Sequence, residues 1–307
     1  MQSILDRKLL FVTGKGGVGK TTMAAAIGIM AARAGRRTIV VEVGEQSQLT
    51  RLFGLPPAAP GIEARLQAGL SSITIDPDRA LLEWLQAIGG RISGRVLASS
   101  GTFQYFAAAA PGAKELVSMV KIWQLTRSAR RRGAGGYDLV VVDAPATGHA
   151  LGLLRSPQTF GAIARVGPIA GHTAEVQELL GDPALSAYLA VALASEMAVT
   201  EALELQDALN GQLARNLEAV IVNSLLPRRF TGAELDRVTR LAESADAVAL
   251  AAARAARAVH ERSRLQHNQM ARLRRRSFEV IGVPFVWGSR LDLAAVEGIS
   301  TRLAHKL

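Results

Sequence analysis

Residues 13–22 read Thr-Gly-Lys-Gly-Gly-Val-Gly-Lys-Thr-Thr. Gly14 to Thr21 fit the spacing G-x-x-x-x-G-K-[ST]. Glycines at 14, 16, 17 and 19, with Val18 between them, let backbone N–H groups turn toward phosphate oxygens and approach them closely. A helix starting here adds the positive end of its dipole. Lys20 is then placed to reach the β- and γ-phosphates of a nucleoside triphosphate, and Thr21, followed by Thr22, offers a hydroxyl to Mg2+. Such a site also needs an acid near the metal. Asp143 ends the apolar run Leu-Val-Val-Val-Asp, and a carboxylate at the carboxyl end of a parallel strand lies where ligands bind. Capping of the next helix is the other use for it. Beside a glycine loop, Mg2+ is the expected partner, directly or through water.

The loop carries a second lysine, Lys15. Only six of the 36 basic residues are lysine, so two within six positions ask for a reason. One cation neutralises phosphates within a subunit. A second at the start of the loop could reach the nucleotide of a neighbouring subunit, as an arginine finger does. Spacing alone does not decide this.

The elements that must position these residues are legible as periodic runs. Residues 9–13 and 36–43 read as strands flanking a helix over 21–35, a βαβ unit that implies a parallel sheet. Residues 71–76 read as a third strand, followed by a helix capped by Asp76. Residues 80–135 read as mainly helical, and 137–145 as a buried strand. Residues 149–187 read as short helices broken at Pro157, Pro168, Gly171 and Pro183. Apolar runs at 189–194 and 217–223 are of strand length, with the first turning into a helix near Ser195. One long helical stretch is expected over 232–276, then a strand at 277–286 and a closing helix near 292–304. The expected fold is α/β: a doubly wound, mainly parallel sheet in a single domain over 1–307, with helical insertions at about 80–135 and 149–187.

Bulk composition narrows the classes. Hydrophobic residues make up 49% of the 307, which excludes a disordered chain, yet no run reaches the ~18 apolar residues of a membrane span. The N-terminus has no charged segment followed by a long apolar one, so no secretory signal is expected and a cytoplasmic location is. There is no cysteine, which removes disulfides, thiolate metal sites and iron–sulfur clusters. The net charge of +10 admits nucleic acid or an anionic membrane surface as partner, or merely solvated helix faces. Arginines cluster at 127–132 and 254–276, but no aromatics interleave with the second cluster to stack bases, so nucleic acid is not expected. His149 and His172 lack ligand partners at workable spacing for a metal.

Lys-Gly-Gly-Val-Gly-Lys-Thr-Thr resembles the deviant Walker A loop of the class that contains partition ATPases, nitrogenase iron protein and arsenical pump-driving ATPases. In that class the first lysine, here Lys15, contacts the nucleotide across a face-to-face dimer. The run 137–157, with Asp143, Pro145, Thr147, Gly148, His149 and Leu151, resembles the switch II of the arsenical-pump and tail-anchored-protein-targeting branch, although Ala146 displaces the proline–threonine spacing. Pro-Gly-Ala-Lys-Glu-Leu (111–116) and the stretch 194–205 also resemble segments of that branch. So does Ile-Val-Asn-Ser-Leu-Leu-Pro (221–227), whose asparagine, here Asn223, recognises adenine. Residues 283–288 take the place of the loop that packs on the base, which implies contacts from Pro284 and Phe285. The resemblance further implies that Gly148 senses the γ-phosphate through its N–H. It spans residues 9 to about 300 and implies ATP and Mg2+ as ligands.

Three departures bear on mechanism. The water-orienting Asp of switch I falls on Gly44, leaving Glu42 and Glu45 as flanking acids. Glu45 is the candidate to reach the water, while Glu42 lies within the strand; the alternative is that both are structural and hydrolysis is slow. Absent cysteines rule out arsenite–thiolate activation and a zinc-stapled dimer. Finally, Met119 is the single methionine of the helical insert, which weakens the case for an adaptable client groove. The expected function is a dimeric Mg-ATP-dependent ATPase working as a nucleotide-driven switch, with Lys15, Lys20, Glu45 and Asp143 as catalytic residues. It would be a homodimer, or a heterodimer with a related ATPase, acting on a protein client or membrane partner and at most peripheral at the membrane. A catalytically weak pseudo-ATPase, a partition-type ATPase and a metabolic kinase are the alternatives.

Overall fold

The computed structural model describes residues 3–44, 47–88, 112–127, 136–163, 168–243, 246–288 and 291–307. The strands are β1 (Leu9–Gly14), β2 (Thr38–Val43), β3 (Ala64–Gln67), β4 (Leu70–Ile75), β5 (Leu139–Ala146), β6 (Ser186–Leu193), β7 (Ala219–Leu225) and β8 (Glu279–Pro284). They form one eight-stranded sheet in the order β3-β4-β2-β5-β1-β6-β7-β8. All neighbours pair parallel except β3 with β4. The central strands β5, β1 and β6 are unbroken apolar runs, buried almost throughout, as a sheet covered by helices on both faces requires. The expected doubly wound α/β fold is what forms.

Helix α1 (Lys20–Arg33) follows β1 directly. It is buried from Met23 through Ala31 without a polar face, as befits a helix enclosed on all sides. One cover is the sheet and the other is the C-terminal helix (Leu293–Ala304), here α10. The others are α2 (Leu49–Leu52), α3 (Pro77–Ile88), α4 (Ala113–Arg127), α5 (Thr147–Ile163), α6 (Pro168–Gly181), α7 (Glu196–Leu213), α8 (Gly232–Glu243) and α9 (Ala247–Leu273). Helices α3 to α6 pack successively on one another. Much of the stretch 80–135 expected to be helical lies outside the described residues.

Several sequence expectations need correction. Pro157 does not break its helix: α5 runs through it for 17 residues. A proline lacks the N–H that would bond the carbonyl four residues back. Here that carbonyl, Leu153 O, accepts from the Ser156 hydroxyl at 2.8 Å, so no acceptor is orphaned. Gly171 likewise lies inside α6, which begins at Pro168, a favoured place for proline in a first turn. The stretch 232–276 is two helices rather than one, and the second is started by Asp246, whose carboxylate accepts from Ala249 N at 2.8 Å. The short antiparallel strand β3 was not anticipated. At Asp76 the expected cap is in place, with Oδ1 accepting from Asp78 N and Arg79 N.

Candidate nucleotide site

The glycine loop occupies the turn from β1 into α1, at the carboxyl end of the sheet beside the point where strand order reverses, where α/β folds bind ligands. Two glycines are dictated by geometry. At Gly14, with φ +146°, a Cβ would sit 2.1 Å from Val191 O, a backbone atom of β6 that cannot yield. At Gly19, with φ +97°, it would sit 2.5 Å from the Asn223 amide. Between them Val18 is buried and anchors the loop, while Gly16 and Gly17 are exposed. The first turn of α1 (Lys20, Thr21, Thr22) holds no acid, so its positive end is free to attract an anion.

Thr21 Oγ1 donates to Asp143 Oδ2 at 2.6 Å. This brings the hydroxyl and carboxylate named from the sequence to one point, although 122 positions separate them. An all-oxygen pair of this kind suits a hard cation such as Mg2+. Burial raises the Asp143 pKa to about 6; the Thr21 hydrogen bond opposes the rise, the nearby Glu42 charge adds to it and Lys20 opposes it. Lys20 donates to Lys15 O at 3.0 Å, within its own loop. Burial lowers its pKa, and the attraction of Asp143 works against that.

Lys15 turns away from the loop interior. Its ammonium donates to Glu201 on α7 at 2.6 Å, and both side chains are about one-third exposed (35% and 30%). Glu201 is a residue that sequence reasoning passed over; it lies in the quoted stretch 194–205, but only the placement of α7 beside the loop gives it a role.

Glu42 is not free to orient water. It is 6% exposed and accepts from Ser47 Oγ (3.0 Å), Gln48 N (2.7 Å), Leu49 N (3.1 Å) and Thr74 Oγ1 (3.5 Å). It therefore ties the chain after β2 to β4 and caps α2. Burial raises its pKa, and these hydrogen bonds pull it back. Gly44 N bonds Ile75 O. Glu45 lies outside the described residues.

Asn223, at the end of β7, also braces the loop: its amide donates to Val18 O at 2.9 Å and its Oδ1 accepts from Ser224 N at 2.8 Å. Ser224 has φ +59°, a left-handed conformation costly for a residue with a Cβ and common at functional sites. Pro284 pairs with Leu225 in the β7–β8 register, and Phe285 N donates to Leu225 O at 2.9 Å. The two segments expected to hold a base thus share one sheet corner. Gly148 is exposed in the first turn of α5, directly after β5. Neighbouring Thr147 has a buried hydroxyl with no protein hydrogen-bond partner among the described residues.

A mainly parallel sheet, a glycine loop opening a helix, and a threonine–aspartate pair at the strand ends define a P-loop ATPase. Comparison narrows the class. Residues 7–170 match the family described as anion-transporting ATPase. ATPase BagA of Mycobacterium tuberculosis is 30% identical over 247 residues, 78% of this chain and 72% of the relative. A Halobacterium salinarum protein provisionally named arsenical pump-driving ATPase is 30% identical over 73% of this chain and 36% of its own length. ATPase GET3 of Paracoccidioides lutzii is 32% identical over 51% of this chain and 46% of the relative. The chain belongs to the anion-transporting ATPase family, and it is an ATPase.

Proposed function

We propose that this ATPase is a Mg-ATP-driven switch in which two protomers close face to face over their bound triphosphates. Lys20, Thr21, Thr22 and the N–H groups from Gly14 to Gly19 hold the phosphates, Asn223 with Pro284 and Phe285 holds the base, and Thr21 with Asp143 holds Mg2+. The ion supplies neutralisation of charge on the transferring phosphoryl group. The observation that carries the reading is the division of labour between the two lysines. Lys20 points into the loop while Lys15 points out of it, one-third exposed on Glu201. A cation already outside its own phosphate cradle is suited to a neighbour's. Gly148, following Asp143 on the same strand-to-helix turn, conveys the γ-phosphate to α5 and thence to α4 and α6, the helices packed on it. A client or membrane partner would read that movement.

The test is a pair of variants. Lys20→Ala should lose ATP binding. Lys15→Ala should keep it yet lose both ATP-dependent dimerisation, read by analytical ultracentrifugation, and turnover. A Lys15→Ala protein that dimerises and hydrolyses like wild type overturns the reading.

A slower variant of this reading rests on Glu42. With that carboxylate committed to capping and glycine at position 44, Glu45 is the remaining acid of switch I to orient water. Turnover is accordingly weak, and a related subunit with a complete switch I would complete a heterodimer. Glu45→Gln leaving the residual rate unchanged would remove Glu45 from this role.

A further inference from the structure

The loop after β7, the start of α8 and the middle of α9 line a groove of about 430 Å3 on the flank of the base corner. Its walls carry Arg228, Arg229 and Arg264, all exposed, with His260 at the side and the hydroxyl of Ser263 buried at its floor. Among the described residues none of the three arginines is paired with a carboxylate. An acid, Glu234, also lines the groove; it accepts from Thr231 N (2.8 Å) and Thr231 Oγ1 (2.9 Å), capping α8, and makes no ion pair with the three arginines. Three guanidinium side chains against one carboxylate leave the lining of this groove positive on balance. The loop that presents Arg228 and Arg229 is fixed to α9, which carries Arg264, since Gln266 receives Leu226 N and donates to Ser224 O, and Ser263 donates to Leu226 O.

An apolar surface adjoins this positive groove. Phe285, Val286 and Trp287 are 40%, 38% and 62% exposed, three large side chains in a row that burial would ordinarily claim. The Arg229 guanidinium lies 5.9 Å over the Trp287 ring, so groove and patch are one continuous surface. Phe285 meets Trp287 edge-on at 4.9 Å. Those contacts occupy the ring of Trp287 that a nucleobase would need for stacking, and Val286 offers a base nothing. Arginines around an exposed tryptophan beside aliphatic surface match instead the boundary of a bilayer, where indole rings sit at headgroup depth and basic residues meet lipid phosphates.

We propose that this surface docks on an anionic membrane. Arg228, Arg229 and Arg264 take lipid phosphates, and Val286 and Trp287 enter the headgroup layer. The inference is independent of how the phosphate loop handles ATP, because no residue of that loop takes part. Since Phe285 belongs to both surfaces, docking would set the bilayer beside the base corner.

The experiment uses the full chain with three probes: vesicles of phosphatidylcholine alone, vesicles containing about 30 mol% phosphatidylglycerol, and a single-stranded oligonucleotide. Co-sedimentation, fluorescence anisotropy for the oligonucleotide and tryptophan emission are the readouts, for wild type, Trp287→Ala and the double variant Arg228→Gln/Arg229→Gln. All substitutions are at exposed positions, and circular dichroism confirms that each variant is folded. Wild type should bind the anionic vesicles with a blue shift in emission and not the neutral ones. Each variant should bind about tenfold more weakly, and the blue shift should be absent from Trp287→Ala. Equal behaviour toward both vesicles, including no binding to either, overturns the proposal. So does a loss confined to one of the two variants, or an oligonucleotide bound in preference to anionic vesicles.

Discussion

Two lysines five positions apart meet different electrostatic surroundings because one opens a helix and the other precedes the turn. Lys20 faces a buried carboxylate, while Lys15 faces a one-third-exposed one on another element. Partly exposed ion pairs contribute ~0–1 kcal/mol, so Glu201 is a weak hold on Lys15. Glu201→Gln should release that lysine and tighten ATP-dependent dimerisation by up to about fivefold, measured by sedimentation with a non-hydrolysable analogue. Weaker dimerisation would mean that Glu201 works in the interface rather than against it. Asp143 illustrates the other sign. Its folded pKa of about 6 lies above the ~3.9 of an unfolded aspartate. Between those values the folded state binds a proton that the unfolded state does not, so stability rises as pH falls through that window. Above pH 6 the full penalty of the buried charge is present; below about pH 4 it has vanished. In Mg-free buffer Asp143→Asn should therefore be more stable at neutral pH by on the order of 3 kcal/mol, with the gain gone in acid, while hydrolysis is lost. Urea unfolding across pH checks both. That Thr21 and Asp143 would lie together was legible from the sequence, because a phosphate loop fixes residue type at its helix start and an acid ending a buried parallel strand falls at the same edge of the sheet. The Glu201 contact was not, since it joins residues 186 positions apart and depends on where a helix settles.

At the scale of elements, the parallel strands were legible, whereas several helix breaks were not. Central parallel strands show as uninterrupted runs of valine, leucine and isoleucine, and β1, β5 and β6 were all found near their observed bounds. Pro157 misled because its cost was judged from the backbone alone, whereas its neighbour's hydroxyl supplies the missing donor to Leu153 O. Pro157 O is in turn taken by the Gln177 amide of α6 at 2.8 Å, so the irregular turn is used to join two helices. Ser156→Ala should destabilise the protein by about 1–2 kcal/mol, although alanine is the better helix former by up to ~0.7 kcal/mol. Chemical denaturation decides, and a neutral or stabilising result would show that the hydroxyl is dispensable. The break before Asp246 was hidden because alanine-rich sequence continues the helical pattern, and only the capping carboxylate marks the restart. The strand β3 escaped notice because four residues with a single buried side chain carry almost no alternation to read. Gly14→Ala belongs to this scale too. With Val191 O 2.1 Å from the new methyl, β1 and β6 cannot keep their register, and both ATP binding and several kcal/mol of stability should be lost. Binding at wild-type strength would contradict the rigidity assigned to that corner.

For the whole molecule, the sheet fixes where chemistry happens, since it gathers Thr21, Asp143, Asn223 and Pro284 at its carboxyl edge while α1 lies sealed beneath α10. Part of the charge of +10 lies in the groove lined by Arg228, Arg229 and Arg264, where Arg229 stands over Trp287. Among the described residues no helix is long and apolar enough to cross a membrane. The division between the lysines makes one demand on the assembly. In the proposed closure, a protomer that holds ATP through Lys20 borrows Lys15 from another. Mixing inactive Lys15→Ala protein with inactive Lys20→Ala protein tests this directly. The first still holds ATP and the second still carries the crossing lysine, so hydrolysis should reappear in the mixture, up to half the wild-type rate per dimer. A mixture as inert as its two components would place both lysines on the same nucleotide and contradict closure in trans.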